Sequence, residues 1–182
     1  GAPTAWETTN GNPNIVVAIL DTGINLNHPD LIPVLWTNTA EIPNNGLDDD
    51  NDGVVDDVRG ADFVENDGDP TDDAGHGSHV AGIIAAAGNN AIGMAGVAYG
   101  CRVMPIRILS ADNGALTTDI VRAFEYVRTQ KSRGVNVRLI NNSWGGHFPS
   151  LAIYEAILAC ADAGILSVCA AGNDAEDTDI LP

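Results

Sequence analysis

A chain of 182 residues with a formal net charge of −17, carrying eight Lys plus Arg against 25 Asp plus Glu, has too little basic surface to neutralise a phosphate backbone or an anionic membrane, which excludes nucleic acid and membrane surfaces as partners. Hydrophobic residues make up 45% of it, enough for one globular core, and no run of about eighteen apolar residues marks a membrane-spanning helix. The start at Gly1 lacks a basic stretch leading into an apolar one, so any export signal or propeptide is expected to have been removed or left out.

In chain order, Ile15-Val16-Val17-Ala18-Ile19-Leu20 is a continuous, β-branched apolar run. Such a run predicts a strand buried on both faces of a parallel sheet, with Asp21 at its carboxyl end. Val103 to Leu109, Val137 to Ile140 and Ile165 to Ala171 read as strands for the same reason. Helical segments are predicted at about His76 to Ala87, Thr117 to Gln130 and Leu151 to Ala163. The second takes Thr117 or Thr118 as its N-cap and sets Ile120, Val121, Phe124 and Val127 at helical spacing. This alternation predicts an α/β fold with a doubly wound parallel sheet, whose site lies beyond the carboxyl ends of the strands. Asp21 and Asn173 both follow strands and so fall where a site is expected.

The acidic stretch at about 41–73 reads as an insertion in a single domain spanning 1–182. Within it Asp48, Asp50, Asp52, Gly53 and Asp56 form a D-x-D-x-D-G-x-x-D pattern. Alternating carboxylates of this kind wrap a hard cation while the glycine makes the sharp turn, and Ca2+ is the ion expected. The ligand set is Asp48, Asp50, Asp52, Val54 and Asp56, with Asp57 replacing or supplementing Asp56. The loop is not a complete EF-hand, because Arg59 stands where position 12 needs Glu. Three cysteines, Cys101, Cys160 and Cys169, lie in apolar surroundings and read as buried small hydrophobes, although a disulfide between two of them stays open.

Three segments carry chemistry: Asp21-Thr22-Gly23, Gly75-His76-Gly77-Ser78-His79-Val80-Ala81-Gly82, and Ala170-Ala171-Gly172-Asn173. Asp-Thr-Gly alone also marks the aspartic proteases, but their paired carboxylates need two copies and only one is present. In this order the three segments resemble the active-site segments of the subtilisin-like serine protease family, whose triad runs Asp, His, Ser. The resemblance covers nearly the whole chain. It implies that Asp21 orients His76 as the general base, that Asn173 donates to the oxyanion, and that Ser143-Trp144-Gly145-Gly146 pairs with an extended peptide substrate. Leu109 to Gly114 would form the opposing edge, with Gly114 permitting close approach. His79, three residues after His76, is expected to be a structural core histidine, and His28 and His147 structural or exposed.

The resemblance also implies a second calcium site. In it Asp30 and Asn90 would give side-chain oxygens, and Gly88, Ile92 and Met94 carbonyls. Acidic insertions like that at 41–73 are seen in bacterial members after the Asp-Thr-Gly strand. The family's nucleophile sits in a Gly-Thr-Ser-Met-Ala-type segment downstream, whereas this sequence reaches Pro182 nine residues after Asn173 without one. The chain is therefore expected to be the amino-terminal part of a subtilisin-like domain, its sheet incomplete at the C-terminal end. The serine would come from a carboxyl-terminal segment or chain, and the whole would be a secreted, calcium-stabilised endopeptidase acting on peptides or proteins, with this chain alone inactive. The rival reading is a non-catalytic calcium- or peptide-binding module on the same scaffold.

Overall fold

The computed structural model describes residues 1–112, 114–146 and 149–173. Five strands form one sheet: β1 (Val16–Asp21), β2 (Ala61–Asp62), β3 (Arg102–Arg107), β4 (Val137–Asn142) and β5 (Leu166–Cys169). Their order is β2-β3-β1-β4-β5, and every ladder between them is parallel. Among the described residues four helices accompany them, α1 (Ala2–Trp6), α2 (His76–Ala85), α3 (Thr117–Ser132) and α4 (Leu151–Asp162), with a 3-10 turn at Ile32–Val34.

The continuous apolar run of β1 has its cause in this order. β1 is the central strand, all six of its residues are buried, and successive side chains alternate between two covered faces. Val16, Ala18 and Leu20 point into a core shared with Met104, Ile106 and Ile140 and with Ile120, Phe124 and Val127 of α3. Val17 and Ile19 point the other way, onto Ala81 and Ala85 of α2 together with Ile24 and Val103. Helices thus cover both faces, as a doubly wound sheet requires, and the carboxyl ends of all five parallel strands lie at one end of the sheet.

Two features differ from the sequence expectations, the cap of α3 and the burial of one cysteine. The N-cap of α3 is Leu116, in extended conformation and without a side-chain hydrogen bond; Thr117 and Thr118 lie inside the first turn. α4 does have a side-chain cap, the Ser150 hydroxyl accepting from the Ile153 N–H at 3.4 Å. The cysteines divide: Cys101 and Cys160 are buried and Cys169 is exposed, all three free. Burial pushes the Cys160 thiol up to about 11. β5 is an edge strand with one uncovered face, on which Leu166 and Val168 are 62% and 48% exposed, while Cys169, its last residue, points to the opposite face and is exposed there.

That uncovered face is apolar. Leu166 and Val168 join Leu139 of β4, Ile83 and Ile84 of α2 and Val97 around a cavity of about 1080 Å³ beside α2. The covered side gives the first testable consequence. Phe124 is 1% exposed against the sheet, so Phe124→Ala is expected to lower the unfolding free energy by about 3–5 kcal/mol in a denaturant titration. A loss under about 1 kcal/mol would show that α3 is not packed as described.

Candidate active site

Asp21 ends β1 and is fully buried. Its Oδ1 accepts the Thr22 N–H at 2.8 Å and lies 2.6 Å from Nδ1 of His76, the first residue of α2. An ionised carboxylate can only accept, so this contact puts the imidazole proton on Nδ1 and leaves Nε2 free as an acceptor. The two side chains differ sharply in exposure, 0% for Asp21 against 48% for His76. The carboxylate is a fixed, water-shielded anchor, and the imidazole it holds faces outward.

The close approach depends on glycine. A Cβ on Gly77 would stand 2.1 Å from the Gly23 carbonyl oxygen and 3.2 Å from the Asp21 Cβ, so any side chain there would push α2 off the end of β1. Gly23, at φ +96, has the same need: its Cβ would meet the Pro70 carbonyl oxygen at 2.4 Å. The glycines around Asp21 and His76 are thus conditions of the pair.

His76 lines a cleft of about 760 Å³ together with Leu109, Ala115, Ser143, Trp144, Gly145 and Gly146. Ser143 follows the carboxyl end of β4, and its hydroxyl accepts from Asn141 Nδ2 at 2.9 Å. Gly114 does not line the cleft; its carbonyl closes a turn by accepting the Ser110 N–H at 3.0 Å. Asn173 is exposed beyond β5 and does not line the cleft either. His79 is exposed rather than a core residue. Three residues after His76 it shares that residue's outward side of α2, whereas Gly77, Ala81 and Ala85 form the buried face. His28 is exposed, its Nδ1 accepting the Asp30 N–H at 3.2 Å, and His147 lies outside the described residues.

In the acidic loop, carboxylate oxygens of Asp48, Asp50 and Asp52 lie within 4.8 Å of one another. Asp48 accepts from the N–H groups of Asp52 and Gly53 at 3.0 and 2.8 Å, which folds the loop back on itself. Asp52 accepts from the Val54 N–H at 2.9 Å and from Gln130 Nε2 at 2.5 Å. Asp50 Oδ1 is in ion-pair contact with Arg133 Nη1 at 2.6 Å without hydrogen-bond geometry. Asp56 turns away from this cluster, its two oxygens taking the N–H groups of Asn45 and Gly46 at 3.1 and 2.9 Å.

A second grouping sits beside the first: Glu41, Asp50 and Asp57 also converge within 4.8 Å. Glu41 carries no signal in the motif, seven residues ahead of Asp48. It is 6% exposed, and its Oε2 is buried without a partner among the described residues. Burial pushes the Asp57 carboxyl up to about 8, with the Asp52 and Asp50 charges adding to it and hydrogen bonds from Tyr126 and Asn38 opposing it. Burial likewise raises Asp52, helped by Asp50 and Asp48 and opposed by the Val54 N–H and Arg133. All-oxygen donors, mutual repulsion and an orphaned buried oxygen fit a hard cation such as Ca2+.

The loop 88–94 wraps Asp30, which is 2% exposed. Asn90 Nδ2 donates to Asp30 Oδ1 at 2.7 Å and the Met94 N–H to Oδ2 at 3.2 Å, while the Ile92 N–H donates to Asn90 Oδ1 at 3.1 Å. Gly88 packs on the Tyr99 ring, which a Cβ there would meet at 3.0 Å. Asp30, Asn90 and Met94 are brought together, but the carboxylate is already met by N–H donors.

The geometry can now be set beside known proteins. Residues 12–181 match the profile of the Subtilase family. The chain is 35% identical over 176 residues to "Subtilisin-like protease 1" of Plasmodium berghei (strain Anka), covering 96% of this chain and 28% of that protein. It is 33% identical over 172 residues to thermitase of Thermoactinomyces vulgaris, covering 94% and 52%. Among solved structures, the "S41 Psychrophilic Protease" superposes with a TM-score of 0.76 at 29% identity, over 97% of this chain and 53% of that one. The chain thus spans about half or less of the length of these curated relatives. A parallel sheet whose central strand ends in a buried aspartate held against the first histidine of the next helix, matched over 12–181 to one family profile, leaves one assignment: the chain belongs to the subtilase family.

Proposed function

We propose that the polypeptide to which these residues belong is a calcium-stabilised serine endopeptidase, and the observation that carries this is the 2.6 Å contact between His76 Nδ1 and the buried Asp21 carboxylate. Held in that tautomer, the imidazole takes the hydroxyl proton of a serine through Nε2 while the serine oxygen attacks the peptide carbonyl. Asp21 stabilises the imidazolium that results. The same Nε2 then gives its proton to the leaving amine, and a water repeats the cycle to release the acyl group.

The serine lies outside these 182 residues, on a carboxyl-terminal segment or chain. The apolar face bounded by Leu166, Val168 and Ile83 supports this, since a parallel sheet needs both faces covered. Asn173 would donate to the oxyanion once that segment is in place. Ser143 to Gly146, running on from β4 along the cleft, would pair with the backbone of a peptide substrate as an added strand. Ca2+ would be held by Asp48, Asp50 and Asp52, with Glu41 and Asp57 beside them, and would neutralise their repulsion. A second Ca2+ would sit at Asp30 and the 88–94 loop. Among the described residues no helix is long and apolar enough to cross a membrane, and we place the protein outside the cell, where calcium is abundant enough to fill such sites.

Two outcomes follow. The 182 residues alone are expected to give no burst of product from a chromogenic peptide, since the parts of a triad act as a unit; labelling of this chain by a serine-directed phosphonate would contradict the assignment of the nucleophile. Calcium at about a hundred times its Kd is expected to add about 2.7 kcal/mol to the fold, raising the thermal midpoint by roughly 5–10 °C. Asp50→Ala with Asp52→Ala is expected to reduce that shift to what the Asp30 site contributes, and an unchanged shift would show that the acidic loop does not hold the ion.

A further inference from the structure

The approach of α2 to Asp21 is gripped by a side chain that the proton-transfer steps do not use. Asp72, partly buried in the turn before α2, accepts five hydrogen bonds. Its Oδ1 takes the Thr22 hydroxyl at 2.8 Å, the Ala74 N–H at 3.0 Å and the Gly75 N–H at 2.8 Å. Its Oδ2 takes the Ser78 N–H at 2.9 Å and the Ser78 hydroxyl at 2.5 Å. Both hydroxyls also accept: Thr22 Oγ1 receives the Gly77 N–H at 2.9 Å, and Ser78 Oγ the Asn25 N–H at 2.8 Å.

One carboxylate therefore ties together the residue after Asp21, the turn before His76 and the first turn of α2. His76 itself makes none of these bonds, yet it lies between Gly75 and Gly77, which are both held by them. Five donors on two oxygens require the ionised form. Burial acts upward on this carboxyl, but the hydrogen bonds from Ser78 and Gly75 outweigh it and hold the group below the ordinary carboxylate range. A negative charge at the N-terminus of α2 is also favoured by the helix dipole. The adjacent Asp73 has a separate task, pairing with Arg107 Nη2 at 2.7 Å.

We infer that Asp72 is a positioning residue for the Asp21–His76 pair: its carboxylate sets the distance and rotation of the first turn of α2 so that His76 Nδ1 meets Asp21. Its consequence for catalysis rests on the protease reading; the geometric claim does not. Thr22 is the second half of the device, since its hydroxyl passes the grip from Asp72 to the Gly77 N–H.

The test is nuclear magnetic resonance of the His76 ring nitrogens in the 182-residue chain, joined to kinetics of a polypeptide that includes the nucleophile. In the unaltered chain the ring is expected in the Nδ1–H tautomer. Asp72→Asn keeps the size but turns an amide donor toward the Ser78 N–H, and is expected to give mixed tautomers. Thr22→Val should act in the same direction, while Thr22→Ser and Asp73→Asn should leave the ring signals unchanged. In the longer polypeptide Asp72→Asn is expected to lower kcat by about 10- to 100-fold at unchanged KM, the scale of a displacement near 1 Å. A variant that loses stability but keeps both the ring tautomer and kcat would overturn the inference, and if Asp72→Asn fails to fold, unchanged ring signals in Thr22→Val would do the same. Should the longer polypeptide hydrolyse nothing while the tautomer still depends on Asp72, the protease reading fails and the positioning role stands.

Discussion

The structure depends on a carboxylate kept out of water. Asp21 is 0% exposed, and an isolated charge there would be far too costly to retain. Its Oδ1 is met by the Thr22 N–H and by the His76 ring, and that compensation requires α2 to sit hard against the end of β1. The absence of side chains at Gly23 and Gly77, the five bonds to Asp72 and the burial of Ala81 and Ala85 against β1 all serve this one approach. The His76 imidazole is thereby mounted on the rigid centre of the sheet with only its outer nitrogen free, the arrangement that the proposed proton transfer requires.

Much of this was legible in the sequence because the central strand has no solvent face. An uninterrupted apolar run has few physical meanings, and β1, β3 and β4 follow from it together with the position of Asp21. Edges were less legible. The two residues of β2 carry no periodicity, and they pair only because β3 offers them a ladder. The α3 cap, Leu116, lies one or two residues ahead of the threonines that the sequence offers, because a threonine in the first turn looks, as a string, like a threonine before it. The apolar neighbours of His79 suggest a core position, but α2 buries only the stripe of Gly77, Ala81 and Ala85.

Side chains acting through tertiary contacts were the hardest to read. Asp48, Asp50 and Asp52 announce themselves by spacing, whereas Glu41 reaches Asp50 only through the fold of the loop. Asp56 fits the pattern yet spends its oxygens on the N–H groups of Asn45 and Gly46. Asp72 is one of many acidic residues in a stretch rich in them. Nothing local separates it from Asp73, although one grips the first turn of α2 and the other pairs with Arg107.

The most direct test of the Asp21–His76 pair as proton-transfer machinery is a double-mutant cycle on a polypeptide that includes the nucleophile, measuring kcat/KM for peptide hydrolysis in Asp21→Asn, His76→Ala and the two combined. If the carboxylate acts only through the imidazole, the double variant loses no more than His76→Ala alone. Losses that simply add would contradict it, because Asp21 would then be contributing by a route that does not pass through His76.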